Sequence, residues 1–171
     1  MQNIKRLFLL CALSLVVTTQ PSFAAEEQPP IVNIKRMSLD MALTMAKAAI
    51  DMCRKKGVQV AVTVIDRGAH PQAILRDVLA MDLTLTISRQ KAYTAMSFNS
   101  ATSAMAGRFT EPFSIGKVEG VLPSAGGLPI TASGNILGGI GVSGAPSGKT
   151  DEECAQAGVD AVKDELEMAT M

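Results

Sequence analysis

Residues 128–144 read LPITASGNILGGIGVSG, and how this stretch is read decides the fold. It contains a literal G-x-G-x-x-G from Gly139 to Gly144, followed by Gly148-Lys149-Thr150, which resembles the tail of a phosphate loop. A dinucleotide fingerprint needs a strand, a glycine turn, a helix, and a returning strand that carries an acid. Here the glycines alternate with Ile136, Ile140 and Val142 inside an apolar run, and the residues up to Met171 leave room for a last helix but no returning strand. The phosphate loop fails as well, because the position five residues before Gly148 is Ser143 rather than glycine. What remains is a β-hairpin, two runs of alternating apolar residues around Ser133-Gly134-Asn135. Glycine inside such a strand marks a bulge or the close approach of another backbone or a ligand.

Working outward, SLDMALTMAKAAIDMCRKKG (38–57) predicts a helix with Ser38 as N-cap and Gly57 just past its end. Leu39, Ala42, Leu43, Ala46, Ala49, Ile50 and Cys53 share one broad face, and Met41, Met45, Ala48 and Met52 form an adjacent stripe. Methionine of this kind commonly fills gaps in a core. VQVAVTVID (58–66) reads as a central strand, and PQAILRD (71–77) as a second strand beyond the turn Arg67-Gly68-Ala69-His70. A helix is predicted from Asp82 to about Met96, and a short one over 100–108. The last helix is expected to open at Asp151, with Asp151, Glu152 and Glu153 in its first turn, where the macrodipole favours acids. Helix, two strands, helices, hairpin, helix is an α+β order, an antiparallel sheet covered by helices.

The N-terminal 30 residues show a basic start (Lys5, Arg6), an apolar run from Leu7 to Val17, and Ser22-Phe23-Ala24 at a position suited to signal-peptidase cleavage. Residues 1–24 are therefore expected to be an export signal, 25–37 a tether, and 38–171 the folded domain, periplasmic or secreted, with no membrane span in the mature chain. Without Lys5 and Arg6 the 16 basic residues become 14, against 16 acidic ones. That balance gives no electrostatic footprint for nucleic acid.

The segments GGLPI, GNILGGIGVSGAPSGKTDEECAQAG, VAVTVIDRGAHPQAILR and SRQKAYTAMSF together resemble the signature blocks of the small haem-degrading and haem-binding domain family, in the family's order over most of residues 38–165. That family includes the glycolate-operon accessory protein and an exported haem-binding partner of a two-component redox sensor. The resemblance implies a profilin-like fold with a five-stranded antiparallel sheet flanked by helices, assembly into homo-oligomers, and haem binding in some members. It places Asp66, Gly68 and Arg76 around the first hairpin, Lys91, Ala92 and Thr94 on the middle helix, and Gly126, Gly127 and Pro129 before the last hairpin. Where the family commonly carries a Gly/Ala/Pro-rich linker, this chain has Asp77-Val78-Leu79-Ala80-Met81-Asp82. If that loop borders the pocket, the ligand differs from the family's.

For haem, or a small organic acid in its place, the candidate residues are His70, Arg76, Lys91, Thr94, Gly126 and Gly127. His70 is the single histidine, and it reads either as an axial iron ligand or as an exposed turn residue beside a proline. Arg76 and Lys91 read as a clamp on a carboxylate such as a haem propionate, or as ordinary ion-pair partners. Gly126 and Gly127 let a flat ligand approach the backbone, or simply form a turn. Cys53 ends the first helix and Cys154 begins the last; antiparallel packing of the two helices would let the sulfurs bond in an oxidising compartment. No activated nucleophile or paired-carboxylate site stands out. The chain therefore reads as an exported haem- or tetrapyrrole-binding protein engaged in haem handling or slow oxidative haem breakdown, or else as a non-catalytic oligomeric module for a small carboxylate or a partner protein.

Overall fold

The computed structural model describes residues 29–109, 111 and 114–170, so the export signal read at 1–24 lies outside the described residues. The compact unit begins at Asn33 and runs to the C-terminus. Four strands, β1 (Ala61–Asp66), β2 (Pro71–Arg76), β3 (Gly127–Ala132) and β4 (Asn135–Ser143), form one antiparallel sheet in the order β2-β1-β4-β3. The α+β class stands, but among the described residues the expected five strands are four. Between the middle helix and β3 the described chain runs through 3-10 turns at Thr102–Met105 and Ile115–Lys117 and past Pro123, which has no N–H to donate, and it joins no ladder.

Helices α1 (Leu39–Lys55) and α3 (Gly148–Asp160) cover one face of the sheet and α2 (Leu83–Phe98) the other; a short α4 (Lys163–Thr170) follows. Alternation along the strands divides the two faces. Val62, Val64, Ile130, Ile140 and Val142 join Met45, Ala46, Ala49 and Ile50 of α1 and Cys154 and Ala155 of α3 in the main core. On the opposite face Ile65 meets Ala92 and Met96 of α2. The α1 ends behave as the sequence predicts. The Ser38 hydroxyl accepts from the Met41 N–H, and beyond Lys55 the Gly57 N–H donates to Arg54 O and the Val58 N–H to Cys53 O, a Schellman closure that uses Gly57 at φ +75°. The apolar arc is narrower than the expected one. Met45 is fully buried, whereas Leu39 and Leu43 face solvent.

The glycines of the opening stretch explain how α2 seats. A Cβ at Gly141 would lie 2.0 Å from Ser88 O, one at Gly139 2.4 Å from Ala92 O, and one at Gly127 2.4 Å from Lys91 O. Strands β3 and β4 thus present bare backbone on which α2 rests almost main chain to main chain. The close approach signalled by the alternating glycines is that of a helix of the same chain. At the hairpin tip Ser133 (φ +44°) and Gly134 (φ +75°) form a two-residue turn, and Glu167 of α4 accepts from the Ser133 N–H at 2.8 Å and its hydroxyl at 2.9 Å.

The last helix differs from expectation in two respects. It opens at Ser147, whose hydroxyl accepts from the Thr150 N–H at 3.2 Å, and it breaks near Ala161 into α3 and α4. Cys53 and Cys154 are joined, with Cα atoms 5.5 Å apart and a sequence separation of 101, tying the end of α1 to α3.

Two predictions follow from this packing. Gly141→Ala should destabilise by about 3 kcal/mol or more, because the added methyl meets backbone that has nowhere to go. Gly57→Ala, in open space at positive φ, should cost only about 1–2 kcal/mol; urea midpoints of the two variants compare them directly. Reducing the disulfide should lower stability by roughly 2–5 kcal/mol. Denaturation with and without a thiol reductant reads that loss, and the Cys53→Ser/Cys154→Ser double variant should be insensitive to the reductant.

Candidate functional site

Because α2 sits over β3 and β4, it leaves a groove along its outer side toward the β1–β2 hairpin. The groove encloses about 490 Å³, within the range of sites for drug-sized ligands. Its floor is Ile65 and Ala69, one wall is the α2 series Thr86, Arg89, Gln90 and Tyr93, and the other wall is Glu119 and Gly120. The wall residues recur at helical spacing, opposite Ser88, Lys91, Ala92 and Ala95, which are buried. The rotation of α2 is fixed from beneath. The Ser88 and Thr63 hydroxyls are 2.8 Å apart in the buried interface, and the Thr94 hydroxyl donates to Gln90 O and accepts from the Leu122 N–H, each at 2.8 Å. Thr94 is therefore a residue that holds the segment carrying Glu119 and Gly120 against α2, with its hydroxyl already engaged.

The β1–β2 turn forms one end of the groove. The buried carboxylate of Asp66 accepts from the Gly68 N–H at 2.8 Å and the His70 N–H at 3.0 Å, faces the Arg36 guanidinium at 3.4 Å, and fixes Ala69 at φ +67°. Burial works against the charge on Asp66, but the His70 and Gly68 amides and the Arg36 cation outweigh it and hold the carboxyl below its ordinary range. His70 stands beside Ala69 with its imidazole 73% exposed and Nδ1 3.3 Å from Asp66 Oδ1. It sits at the turn, and the groove is lined by its neighbour.

The other expected site residues gather elsewhere. Lys91 does clamp a carboxylate, but the protein's own: its ammonium is buried, 2.8 Å from Asp151 and 3.0 Å from Val142 O. Gly126 (φ +121°) makes room for that pair, since a Cβ there would lie 2.7 Å from Lys91 Nζ, and Gly127 lies under the α2 backbone. Asp151, expected as a first-turn acid favoured by the macrodipole, is also the buried partner, and it accepts from the Ala145 N–H at 3.0 Å. Burial raises its carboxyl against the pull of Lys91 and of that amide. Arg76 is separate again, on edge strand β2, where it donates to the carbonyls of Asp77, Val78 and Ala80 and shapes the departing loop. That loop does not line the large groove; Asp77, held by Arg54, borders a smaller pocket of about 230 Å³. The structure thus joins Lys91, Gly126 and Gly127 in one buried cluster, and neither His70 nor Arg76 belongs to it.

A family model of haem-degrading HbpS-like proteins matches residues 37–160. The chain belongs to that family. It is 36% identical to HbpS, with a TM-score of 0.74 over 81% of this chain and 98% of that one; a double mutant of the Streptomyces reticuli HbpS aligns at the same identity and score over 94% of its length. Two more distant structures share the fold. ORFY of Klebsiella pneumoniae is 24% identical with a TM-score of 0.74, covering 80% of this chain and 97% of that one. PduOC, solved as a haem complex, is 22% identical with a TM-score of 0.67, covering 74% and 95%.

Within this HbpS-like chain, sequence reasoning passed over the outward wall of α2. The block SRQKAYTAMSF contains it, and the period of 86, 89–90 and 93 against 84, 88, 91–92 and 95 is the signal that separates groove from core. The buried pair makes a sharp prediction. Lys91→Met strands the Asp151 carboxylate without its cation and should cost about 3–5 kcal/mol at neutral pH. The sign with pH follows from the raised carboxyl. As pH falls toward about 4, the folded variant binds a proton that the unfolded chain does not yet hold, so the deficit should shrink. Urea denaturation of wild type and variant across pH measures it.

Proposed function

We propose that the groove between α2 and the β1–β2 turn binds haem or a closely related tetrapyrrole, and that the protein works in haem handling. The observation that carries this reading is the lining itself: an apolar floor of Ile65 and Ala69, an aromatic side chain at Tyr93, and a guanidinium at Arg89, around about 490 Å³. An apolar slot with a few convergent polar groups is the usual form of a cofactor site. Arg89 offers a propionate the paired donors that Lys91 and Arg76, both engaged elsewhere, do not. Glu119 on the facing wall disfavours a carboxylate there and so orients a ligand whose two acidic groups share one edge. Membership of a haem-degrading family and the haem complex of PduOC support the same ligand. Haem supplies redox iron when bound; the chain's own residues supply an apolar bed, a counter-charge and a fixed orientation. Breakdown of the ring needs an oxidant and a reductant that these side chains do not provide, so binding is the part of the reading that the geometry supports.

Two further parts of the reading rest on other features. The bonded, buried Cys53–Cys154 pair supports an oxidising compartment, in keeping with export to the periplasm or outside the cell. Val78, Leu79 and Met81 are all more than 60% exposed, an apolar group that supports association with further copies of the chain.

Titration with haemin, followed by absorbance, should show saturable uptake. Thr86→Trp, which fills the groove from an exposed helix position, should abolish it with circular dichroism unchanged. Arg89→Ala should weaken it about tenfold or more, the worth of a charge-assisted hydrogen bond. Failure of the unaltered protein to take up haemin, with uptake of small organic acids instead, would replace this reading with that of a non-catalytic carboxylate-binding module.

A further inference from the structure

We propose that Tyr93 is the protein ligand to the iron of a haem held in the groove; this deepens the haem reading and rests on it. Haem iron is held in proteins by histidine, cysteine, methionine or tyrosine. Of the described side chains that line the groove, Tyr93 alone is one of these kinds. The single histidine, His70, lies at the turn with its imidazole 73% exposed and outside the groove lining. Cys53 and Cys154 are bonded to each other in the main core on the opposite face of the sheet. Met96 is buried under α2, and its sulfur accepts from the Arg67 guanidinium at 3.5 Å.

The surroundings of Tyr93 fit the role. Its ring is about one-third exposed. Opposite it, Gly120 at φ +85° brings the facing segment close without a side chain, since a Cβ there would stand 3.8 Å from the ring. The next residue in the chain, Thr94, fixes that segment through the Leu122 N–H, so the distance across the groove is set by the fold. Arg89 is one helical turn earlier on the same wall, where its positive charge compensates a phenolate bound to ferric iron. Coordination replaces the phenol O–H by an O–Fe(III) bond and releases one proton to water, with no change of oxidation state. An anionic oxygen ligand stabilises ferric over ferrous iron, so bound haem should resist reduction.

The test uses ferric haemin with the wild-type protein, Tyr93→Phe and His70→Ala, read by absorbance, resonance Raman and redox titration. The wild type should show tyrosinate-to-iron charge-transfer and phenolate ring modes. Tyr93→Phe should lose both, with a higher reduction potential and haemin affinity lowered about tenfold or more, while circular dichroism stays unchanged. His70→Ala should keep both. Phenolate modes absent from the haem-loaded wild type, or a spectrum unchanged in Tyr93→Phe and altered in His70→Ala, would overturn the assignment and leave haem binding standing. No saturable uptake by the wild type would instead remove the haem reading itself.

Discussion

The contact on which the rest of the molecule depends is that between the α2 backbone and the bare strands beneath it. Gly127 faces Gly141 across β3 and β4, Gly139 lies two residues earlier on β4, and any side chain on them would run into the carbonyls of Lys91, Ser88 and Ala92 respectively. A helix packed on ordinary side chains stands well off a sheet; removing those side chains lets this one descend onto the strands. Glycine lowers the intrinsic stability of a strand by roughly 0.5–1 kcal/mol per residue relative to alanine. The close seat returns dispersion contacts along the helix and shields the β4 ladder from water. It also fixes where α2 can be. The helix lies over β3, β4 and β1 and scarcely reaches β2, so part of the sheet floor near Ile65 stays open beside it. The groove is the lateral consequence of the glycine bed.

A close seat still leaves a helix free to roll, and three polar contacts remove that freedom. Thr63 meets Ser88 near the middle of the interface, Lys91 reaches Val142 O and Asp151 at the β4 end, and Thr94 ties the facing segment to the C-terminal half. Burying Lys91 and Asp151 costs desolvation that their attraction roughly offsets, so the pair adds little to net stability. Its value lies in register, because an ammonium that must find one carboxylate and one carbonyl accepts a single rotation of α2. With that rotation set, Arg89, Gln90 and Tyr93 have no direction left but the groove. Asp151 belongs to α3, and α3 is bonded through Cys154 to α1, so the orientation of the groove wall is tied through the sheet end to the opposite layer.

Features set by local rules were legible in the sequence. The hairpin at Ser133-Gly134, the Ser38 cap, the Gly57 closure and the pairing of Cys53 with Cys154 each depend on residue types at short range or on two helix ends meeting. Features set by partners distant in sequence were not. Lys91 reads as a ligand clamp because nothing near it in the chain reveals that Gly126 leaves a hole for its ammonium or that Asp151, 60 residues on, fills it. The arc expected for α1 is wider than the buried one for a similar reason. Leu39 and Leu43 satisfy helical periodicity, yet the sheet and α3 together occupy only the sector centred on Met45, Ala46 and Ala49. The fifth strand came from resemblance and not from any alternating run in this chain.

The division between what holds the fold and what lines the groove follows from the same geometry. Asp66 and Gly68 shape a turn, Lys91 and Gly126 settle a buried pair, and Gly127 seats a helix. Each of these positions meets a backbone or burial requirement of the scaffold. The groove wall obeys a different constraint. Thr86, Arg89, Gln90 and Tyr93 project from a helix whose placement is already determined, so their identities can change without disturbing the fold. The scaffold therefore constrains the surface of the groove wall least. In this chain that surface combines one phenol, one guanidinium and one carboxylate around an apolar floor, and the haem proposal rests on this chemistry rather than on the fold alone.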